Sequence, residues 1–309
     1  MSRLAETKER FRVYKDLWNY HRSRTREFAR HDFNNFLAIK ARYERHTGQP
    51  LTKKRILDIG CGQRYPHLLL LAGGGNQVTG IDLEIVGPGY WKYLRMLRKS
   101  GWERSLKSFL RQRFFDPLYF SEIERLSGIS LNRPGLDIQW GDATSLRFPD
   151  NYFDLIVSTA VFEHIADVPA AVKEIARVLK PGGLCDIEIH LFASISGGHN
   201  LTWHDPDGNP SRTVPAWDHL RKNLFPTHVY LNRLRESEHR NIFSRYLSIL
   251  DWVSLKFEGD KFLTPEIERE LPAFSREELL KKNVVVVGQK PPAMSKAEPK
   301  IASATVELS

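Results

Sequence analysis

The first candidate site is a pair of glycines that follows a short apolar run. Residues 56–62 read ILDIGCG, so Gly60 and Gly62 stand directly after a predicted buried strand that carries Asp58. Two glycines at the end of a strand let the backbone turn sharply against a ligand. Asp82 stands twenty residues after Gly62, at the end of the next predicted strand, where a carboxylate can accept hydrogen bonds from both hydroxyls of a ribose. This spacing predicts a site for a nucleoside-containing cofactor.

A nicotinamide dinucleotide is the competing ligand for this turn. It favours a third glycine, which lets the pyrophosphate approach the N-terminus of the following helix. The residues after Gly62 are Gln63, Arg64 and Tyr65. The missing glycine argues against NAD.

A second candidate site combines histidines, an acid and a tryptophan. His164 follows the predicted strand 153–158 and suits a general base near neutral pH, the alternative being a helix-start residue without a chemical role. Five residues follow the predicted strand 184–190 and are expected to roof an acceptor pocket, namely His190, His199, Trp203, His204 and Asp205. Histidine and aspartate also ligate metals, but the sequence has no HxH or HExxH spacing. We therefore predict a polar lid without a metal.

Trp91 belongs to a third group, in which aromatic residues alternate with lysine and arginine over residues 90–102. Such a mixture can stack on bases or sugars and hold phosphates. The alternative is an amphipathic helix whose aromatic side chains pack on the core.

The positive charge of the chain is concentrated at its start. The 309 residues carry a net charge of +9, and residues 1–55 account for all of it, with 15 lysines and arginines against 6 acids. A basic segment of this kind can contact nucleic acid, anionic lipid or a phosphorylated substrate. The alternative is an ordinary solvated helix face.

Composition excludes several classes of protein. Two cysteines, Cys61 and Cys185, cannot build a disulfide framework or a zinc finger. The first fifteen residues are charged where a signal peptide would be apolar, and no apolar run approaches the length of a membrane helix. We therefore expect a globular, cytoplasmic protein without a membrane span.

The elements that must position these residues alternate between strands and helices, which predicts an α/β fold with a parallel sheet. One or two amphipathic helices are expected over residues 5–48, as an N-terminal helical basic arm that ends by residue 50. Two insertions, 83–135 and 191–235, are too long for simple connections and are expected to form a cap and a lid. A disordered tail is expected over 291–309. The predicted strands are 55–59, 78–82, 136–140, 153–158, 184–190 and 283–288, and the further predicted helices are 67–72 and 168–179.

Residues 141–183, GDATSLRFPDNYFDLIVSTAVFEHIADVPAAVKEIARVLKPGG, together with 55–82, resemble the class I S-adenosylmethionine-dependent methyltransferases, in the branch often called type 11. The resemblance implies a Rossmann-like sheet of seven strands with helices on both faces. Its last strand, inserted antiparallel, would be 283–288. It also implies that residues 51–290 form the methyltransferase domain.

The resemblance also implies roles for individual residues. Those expected to bind S-adenosylmethionine are Asp58, Gly60, Cys61, Gly62, Asp82, Leu83, Asp142, Ala143, Thr159 and Phe162. His164 and Glu163, with His204 from the lid, are the candidate catalytic residues. The acceptor is expected to contact His190, His199, Trp203, Asp205 and Trp91. Arg64 departs from the family pattern, which has a third glycine there.

The function that these features predict is methyl transfer to a small or medium-sized polar acceptor. The acceptor is expected to be carbohydrate-like and to receive the methyl group on a hydroxyl. One alternative is an RNA methyltransferase that uses the basic N-terminal segment, although the sequence has no NPPY-like tetrapeptide for methylating base amines. Another alternative is a protein that binds S-adenosylmethionine without catalysis.

Overall fold

The computed structural model describes residues 3–84, 97, 102–131 and 136–292, with side chains from residue 22 onward except those of residues 102–104 and 107. Trp91 and the tail from residue 293 lie outside the described residues, so their predicted roles stay predictions.

Seven strands form a single sheet. The strands are β1 Arg55–Ile59, β2 Gln77–Asp82, β3 Asp137–Trp140, β4 Phe153–Thr159, β5 Leu179–His190, β6 Ser248–Phe257 and β7 Lys281–Gln289. Their order in the sheet is β3-β2-β1-β4-β5-β7-β6. All neighbouring pairs are parallel except those of β7, which runs antiparallel to both β5 and β6. This is the Rossmann-like sheet that the resemblance implied, with the valine-rich strand inserted antiparallel.

Helices cover both faces of this sheet. The described α-helices, numbered here in chain order, are α1 Arg3–Thr47, α2 Pro66–Gly73, α3 Trp102–Phe114, α4 Asp116–Ser127, α5 Val168–Val178, α6 Glu236–Ser244, α7 Pro265–Glu270 and α8 Arg276–Leu280. Among the helices described, none combines the length and apolar character needed to cross a membrane.

The sheet separates two apolar layers because successive side chains of a strand point to opposite faces. In β4, Ile156 packs with α5 and α6, whereas Leu155 and Val157 pack with α1, α2 and α4. The four consecutive valines of β7 alternate between the two layers in the same way. A strand buried on both faces is apolar throughout, which is why the sequence signalled β7 so clearly.

The basic N-terminal segment is one continuous helix, and its second half belongs to the core. Phe36, Ile39 and Tyr43 of α1 are buried against α2, α4 and the sheet. Arg42 of the same helix forms a two-bonded ion pair with Asp186 of β5, at 2.6 and 2.9 Å. The predicted arm is therefore not separate from the rest of the chain over this half, and the packing has no break at residue 50.

Two strands differ from their predicted extent. β5 begins at Leu179, directly after α5. Residues 180–183 (Lys-Pro-Gly-Gly), which separate the predicted helix 168–179 from the predicted strand 184–190, therefore lie inside the strand. The register between β4 and β5 shifts between Phe153 and Leu155, and this bulge accommodates the segment. β6 was not predicted, because as an edge strand it is half-exposed and lacks the apolar pattern of its neighbours.

The insertion 191–235, called the lid below, shares a small apolar core with residues 262–280. Trp203 and Trp217 of the lid are buried there with Ile195 and Val214, and Leu263 packs with them from outside the lid. The indole of Trp217 donates to the carbonyl of Ala193 at 3.1 Å. These contacts fix the lid at the carboxyl end of β5.

Candidate active site

The glycine turn after β1 is held against the end of β2. The amides of Gly60 and Cys61 both donate to the carbonyl of Ile81, at 2.8 and 3.2 Å. Gly60 has φ +71°, and a Cβ at this position would overlap the side chain of Val161 in the segment after β4. Gly62 has φ +65°, but its nearest neighbour would lie 4.0 Å from a Cβ. The first glycine is therefore required by space as well as by conformation.

Asp58 is the buried acid beneath this turn. Burial raises the pKa of Asp58 to about 7, the nearby charge of Asp82 adds to the shift, and the backbone amide of Leu68 in α2 partly offsets it. A positively charged ligand beside this carboxyl would favour its ionised form, so Asp58 suits a ligand that carries positive charge.

Asp82 is the last residue of β2, and Asp142 follows the end of β3, as predicted. The carboxylate of Asp82 accepts from the amides of Gly62 at 3.0 Å and Glu84 at 2.7 Å. That of Asp142 accepts from the amide and hydroxyl of Thr144, both at 2.8 Å. Leu83 is half-exposed beside Asp82, so an apolar surface lies next to the two acids, and this suits the ring and sugar of a nucleoside.

Arg64, the departure from the family pattern, connects the turn to the insertion 83–135. Its guanidinium pairs with Asp116 of α4 at 2.7 Å and lies 4.5 Å from the ring centroid of Tyr119. The residue that replaces the third glycine thus anchors a helix of the cap rather than leaving space for a pyrophosphate.

Cys61 and Phe162 were predicted to bind the cofactor, but both side chains are buried. Burial raises the pKa of the Cys61 thiol, which makes it a packing residue. Phe162 is fully buried against Phe243, with ring centroids 5.5 Å apart. Only the backbone of these two residues is available to a ligand.

The structure brings together Glu163 and three histidines from two distant segments. The Oε1 atom of Glu163 lies 3.9 Å from Nε2 of His164 and 3.9 Å from Nε2 of His199. The His199 ring stands 4.9 Å from that of His164 and 4.9 Å from that of His190. Sequence reasoning selected all four residues but divided them between a catalytic and an acceptor-binding group.

Burial controls the charge of this cluster. It raises the pKa of Glu163 to about 8 and lowers the pKa of His199 to about 4, with the neighbouring His164 as a further cause for His199. The pKa of His190 is also held well below its ordinary value, again chiefly by burial. His190 and His199 are therefore neutral at physiological pH and can accept protons or ligate cations, but they do not carry charge.

The lid fixes the short helical turn that carries Glu163 and His164. The side-chain amide of Asn232 donates to the carbonyls of Phe162 at 2.7 Å and Ile165 at 3.0 Å, and its backbone amide donates to the carbonyl of Glu163 at 2.9 Å. Nδ1 of His164 bonds to the carbonyl of Tyr230 at 2.9 Å. Because a carbonyl only accepts, His164 carries its proton on Nδ1 and presents Nε2 as an acceptor.

Trp203, His204 and Asp205 have structural partners within or near the lid. Trp203 donates to the carbonyls of Val214 and Pro215. His204 bonds to the carbonyl of Leu201 in its own turn, and Asp205 pairs with Arg24 of α1. Their predicted roles in catalysis and acceptor binding stay predictions.

Three residues near the site were not singled out from the sequence, namely Glu188, Asn35 and Asn283. Glu188 of β5 is buried beside Thr159 of β4 and bonds to the amides of Asn35 in α1, at 3.2 Å, and Asn283 in β7. Two acids at alternate positions of an otherwise apolar strand, Asp186 and Glu188, were the available signal, since such acids need partners from another element.

A pocket that opens to solvent lies beside the histidine cluster. Gly198 and Asn200, the neighbours of His199, line it, and so does Trp203. Its other lining residues include aromatic and polar side chains, namely Phe192, His219, Asn223, Phe225 and Arg233. This mixture of side chains suits a small organic molecule with polar groups.

Comparison with known proteins identifies methyltransferases among the relatives of this chain. A family profile described as "Methyltransferase domain" matches residues 22–246. Sterol 24-C-methyltransferase ERG6B of Gibberella zeae is 25% identical over 199 residues, which are 63% of this chain and 44% of that protein. Phosphoethanolamine N-methyltransferase 1 of Zea mays is 25% identical over 209 residues, 67% of this chain and 33% of that protein.

Solved structures give a consistent but distant likeness. The structure of an S-adenosylmethionine-dependent methyltransferase from Mesorhizobium loti has a TM-score of 0.43 and 17% identity, covering 77% of this chain and 92% of that one. The chain matches less than half the length of the two curated relatives above.

Proposed function

The chain belongs to the methyltransferase domain family, and from this premise we propose that it transfers a methyl group from S-adenosylmethionine to a hydroxyl of a small or medium-sized polar acceptor, one of carbohydrate-like character. The observation that carries the proposal is a contact between two parts of the site, the predicted cofactor turn and the histidine cluster, which are called the two half-sites below. Val161, in the segment that leads to Glu163 and His164, packs directly against Gly60 of the predicted cofactor turn. A donor at the turn and an acceptor at the histidines would therefore be neighbours.

The described residues fit S-adenosylmethionine. Beneath the turn, Asp58 is a buried carboxyl that forms no ion pair with the described residues. Asp82 would hold the ribose, and Leu83, Asp142 and Ala143 would surround the base. Thr159 stands at the end of β4 between the two half-sites.

Bound S-adenosylmethionine supplies a methyl group already activated by its sulfonium, so the protein contributes mainly proximity, alignment and a deprotonated acceptor. The cluster of Glu163, His164 and His199 offers the acceptor of that proton, since the contact of Nδ1 with the carbonyl of Tyr230 leaves Nε2 as the acceptor atom of a neutral His164. The aromatic and amide side chains of the pocket beside it favour a hydroxylated acceptor.

The proposal is tested by incubating the protein with S-adenosylmethionine labelled in its methyl group and with a metabolite extract, with and without RNase. We expect RNase-resistant label in the low-mass or carbohydrate fraction. His164→Ala should retain cofactor binding and lower turnover by about 100- to 10,000-fold, the range for a general base. Cofactor binding without label in any fraction would overturn the enzymatic proposal, and unchanged turnover in His164→Ala would remove that residue from it.

RNase-sensitive label would instead indicate an RNA methyltransferase. The structure favours this alternative less, because many basic side chains of α1 are already paired with acids of the protein. These are Arg24, Arg30, Lys40, Arg42 and Arg45.

Cofactor affinity should depend on pH through Asp58. The pKa of this carboxyl is about 7 in the free protein, and a positively charged ligand favours its ionised form, so binding releases a proton. Raising the pH from about 6 to about 8 should tighten binding of S-adenosylmethionine about tenfold, because the fraction of ionised Asp58 rises over this window. Isothermal titration at several pH values measures this, and Asp58→Asn should flatten the profile. A wild-type profile already flat across this window would contradict the proposed role of Asp58.

A further inference from the structure

The cluster at the acceptor side has the composition of a metal site. Glu163 supplies a carboxylate oxygen, and His164 and His199 each supply Nε2. These three atoms all lie within 4.8 Å of one another, and both distances from the carboxylate are 3.9 Å. Two ligands that each lie about 2.1 Å from a zinc ion are at most about 4.2 Å apart and about 3.4 Å apart in a tetrahedral site. Small side-chain movements would complete the geometry.

An independent observation is that neither carboxylate oxygen of Glu163 has a hydrogen-bond partner among the described residues, although Glu163 is only 2% exposed. The amides of Glu163 itself and of His190 lie nearby but form no hydrogen bond of normal geometry with it. A buried carboxyl group without a partner is costly, and in native proteins it calls for an explanation. A cation between Glu163 and the two imidazoles would supply that partner.

The outer contacts of the cluster prepare its nitrogen atoms for a metal. The bond from Nδ1 of His164 to the carbonyl of Tyr230 fixes the tautomer of the neutral ring, in which Nε2 offers its lone pair. Such a second contact is the usual way in which a metal-binding histidine is oriented. Asn232 fixes the backbone that carries Glu163 and His164. His190, by contrast, uses its Nε2 in a hydrogen bond with Ser196 at 2.9 Å.

We propose that Glu163, His164 and His199 bind a divalent transition-metal ion of the zinc class. Two imidazoles and one carboxylate suit zinc and its neighbours, whereas magnesium and calcium prefer oxygen ligands alone. Three protein ligands leave a coordination position for an oxygen of the acceptor, and a bound cation lowers the pKa of a hydroxyl that it ligates. In the metal-bound protein Nε2 of His164 ligates the ion and cannot also accept a proton, so the lowered pKa of the hydroxyl replaces the general-base role of that nitrogen. The binding of the ion stands on the geometry, whereas its role in methyl transfer rests on the proposed function.

The sequence argued against a metal because it contains no short histidine spacing. His164 and His199 are thirty-five residues apart and meet only because the lid folds back over the end of β4. Spacing motifs detect ligands on one helix or turn, so they miss a site of this kind.

Metal binding to the full chain tests the proposal. The protein is treated with a chelator, and Zn²⁺ is then titrated and counted by elemental analysis. We expect one equivalent, and Co²⁺ in its place should give the visible absorption bands of a site with low coordination number. Glu163→Gln and His199→Gln should each weaken Zn²⁺ affinity by at least about 100-fold, since even an outer contact of a metal ligand contributes about 10- to 100-fold.

His228→Gln is the matched control, because His228 is an exposed histidine of the same lid. It should bind Zn²⁺ like the wild type. No stoichiometric ion, binding that survives both ligand substitutions, or preference for Mg²⁺ over Zn²⁺ would overturn the proposal.

X-ray absorption of the zinc-loaded wild type keeps the test decisive if a variant fails to fold. Two imidazoles and oxygen ligands are expected, and sulfur ligands or a single imidazole would contradict the assignment. S-adenosylmethionine binding by the metal-free protein is measured alongside. A wild-type protein that binds no stoichiometric ion but retains cofactor binding and methyl transfer would overturn this inference while leaving the proposed function intact.

Discussion

Gly60→Ala should abolish detectable methyl transfer, whereas Gly62→Ala should leave most of it. Both glycines have positive φ, at +71° and +65°, so each substitution carries a conformational cost of about 1–2 kcal/mol. Only at Gly60 does the new Cβ also overlap the side chain of Val161, which adds about 1–3 kcal/mol of overpacking. The turn must move to relieve this overlap, and a displacement of about 1 Å at a reacting centre can lower turnover by about 100-fold.

Turnover and cofactor affinity, measured by labelled methyl transfer and isothermal titration, check this expectation. The double variant Gly60→Ala/Val161→Ala removes the γ-methyl groups that the new Cβ meets and should recover much of the lost binding. Equal losses in Gly60→Ala and Gly62→Ala would show that conformation alone matters. In that case Val161 would not connect the two half-sites in the way proposed.

The relative positions of the residues proposed to bind the cofactor were predictable because these residues are local. Asp58, Gly60 and Gly62 lie on one turn, and Asp82 lies at the end of the adjacent strand. Parallel neighbouring strands bring their carboxyl ends to one edge of the sheet. A strand, a turn and a second strand therefore fix their relative positions without knowledge of the remaining chain.

The acceptor half was predictable only as a set of residue types. That His199 contacts Glu163 depends on the path of the lid, which has little regular structure and is held by buried tryptophans and by Asn232. The same limit applies to Asn35, because helical periodicity shows that α1 is amphipathic but not which strand it covers. The contribution of α1 to the site thus became visible only with the tertiary structure.

Arg42→Met should destabilise the protein by about 3–5 kcal/mol at neutral pH, the usual cost of removing one partner from a buried ion pair. Arg42 is 12% exposed and Asp186 is 5% exposed, and two hydrogen bonds join them. Without the guanidinium, Asp186 keeps only His67 as a nearby group that favours its charge, while Asp251 opposes it. Urea unfolding measures the loss, and Arg269→Met is the control because its pair with Glu266 is exposed and should change stability by less than about 1 kcal/mol.

The loss in Arg42→Met should shrink as the pH falls. Burial already raises the pKa of Asp186 despite Arg42, and removing the guanidinium raises it further. The folded variant then binds a proton at Asp186 more tightly than the unfolded chain does, so its stability rises as the pH falls from 7 toward about 4, the ordinary range of an aspartate. Arg42→Met/Asp186→Leu should regain most of the lost stability, since an apolar pair of similar volume often replaces a buried ion pair without cost. A pH-independent loss, or a double variant as unstable as Arg42→Met, would mean that Arg42 acts through packing of its stem.

If the ion pair carries the effect, it also holds α1 where Asn35 reaches Glu188 and Thr159. The single variant should therefore bind S-adenosylmethionine more weakly, and the double variant should bind it almost normally.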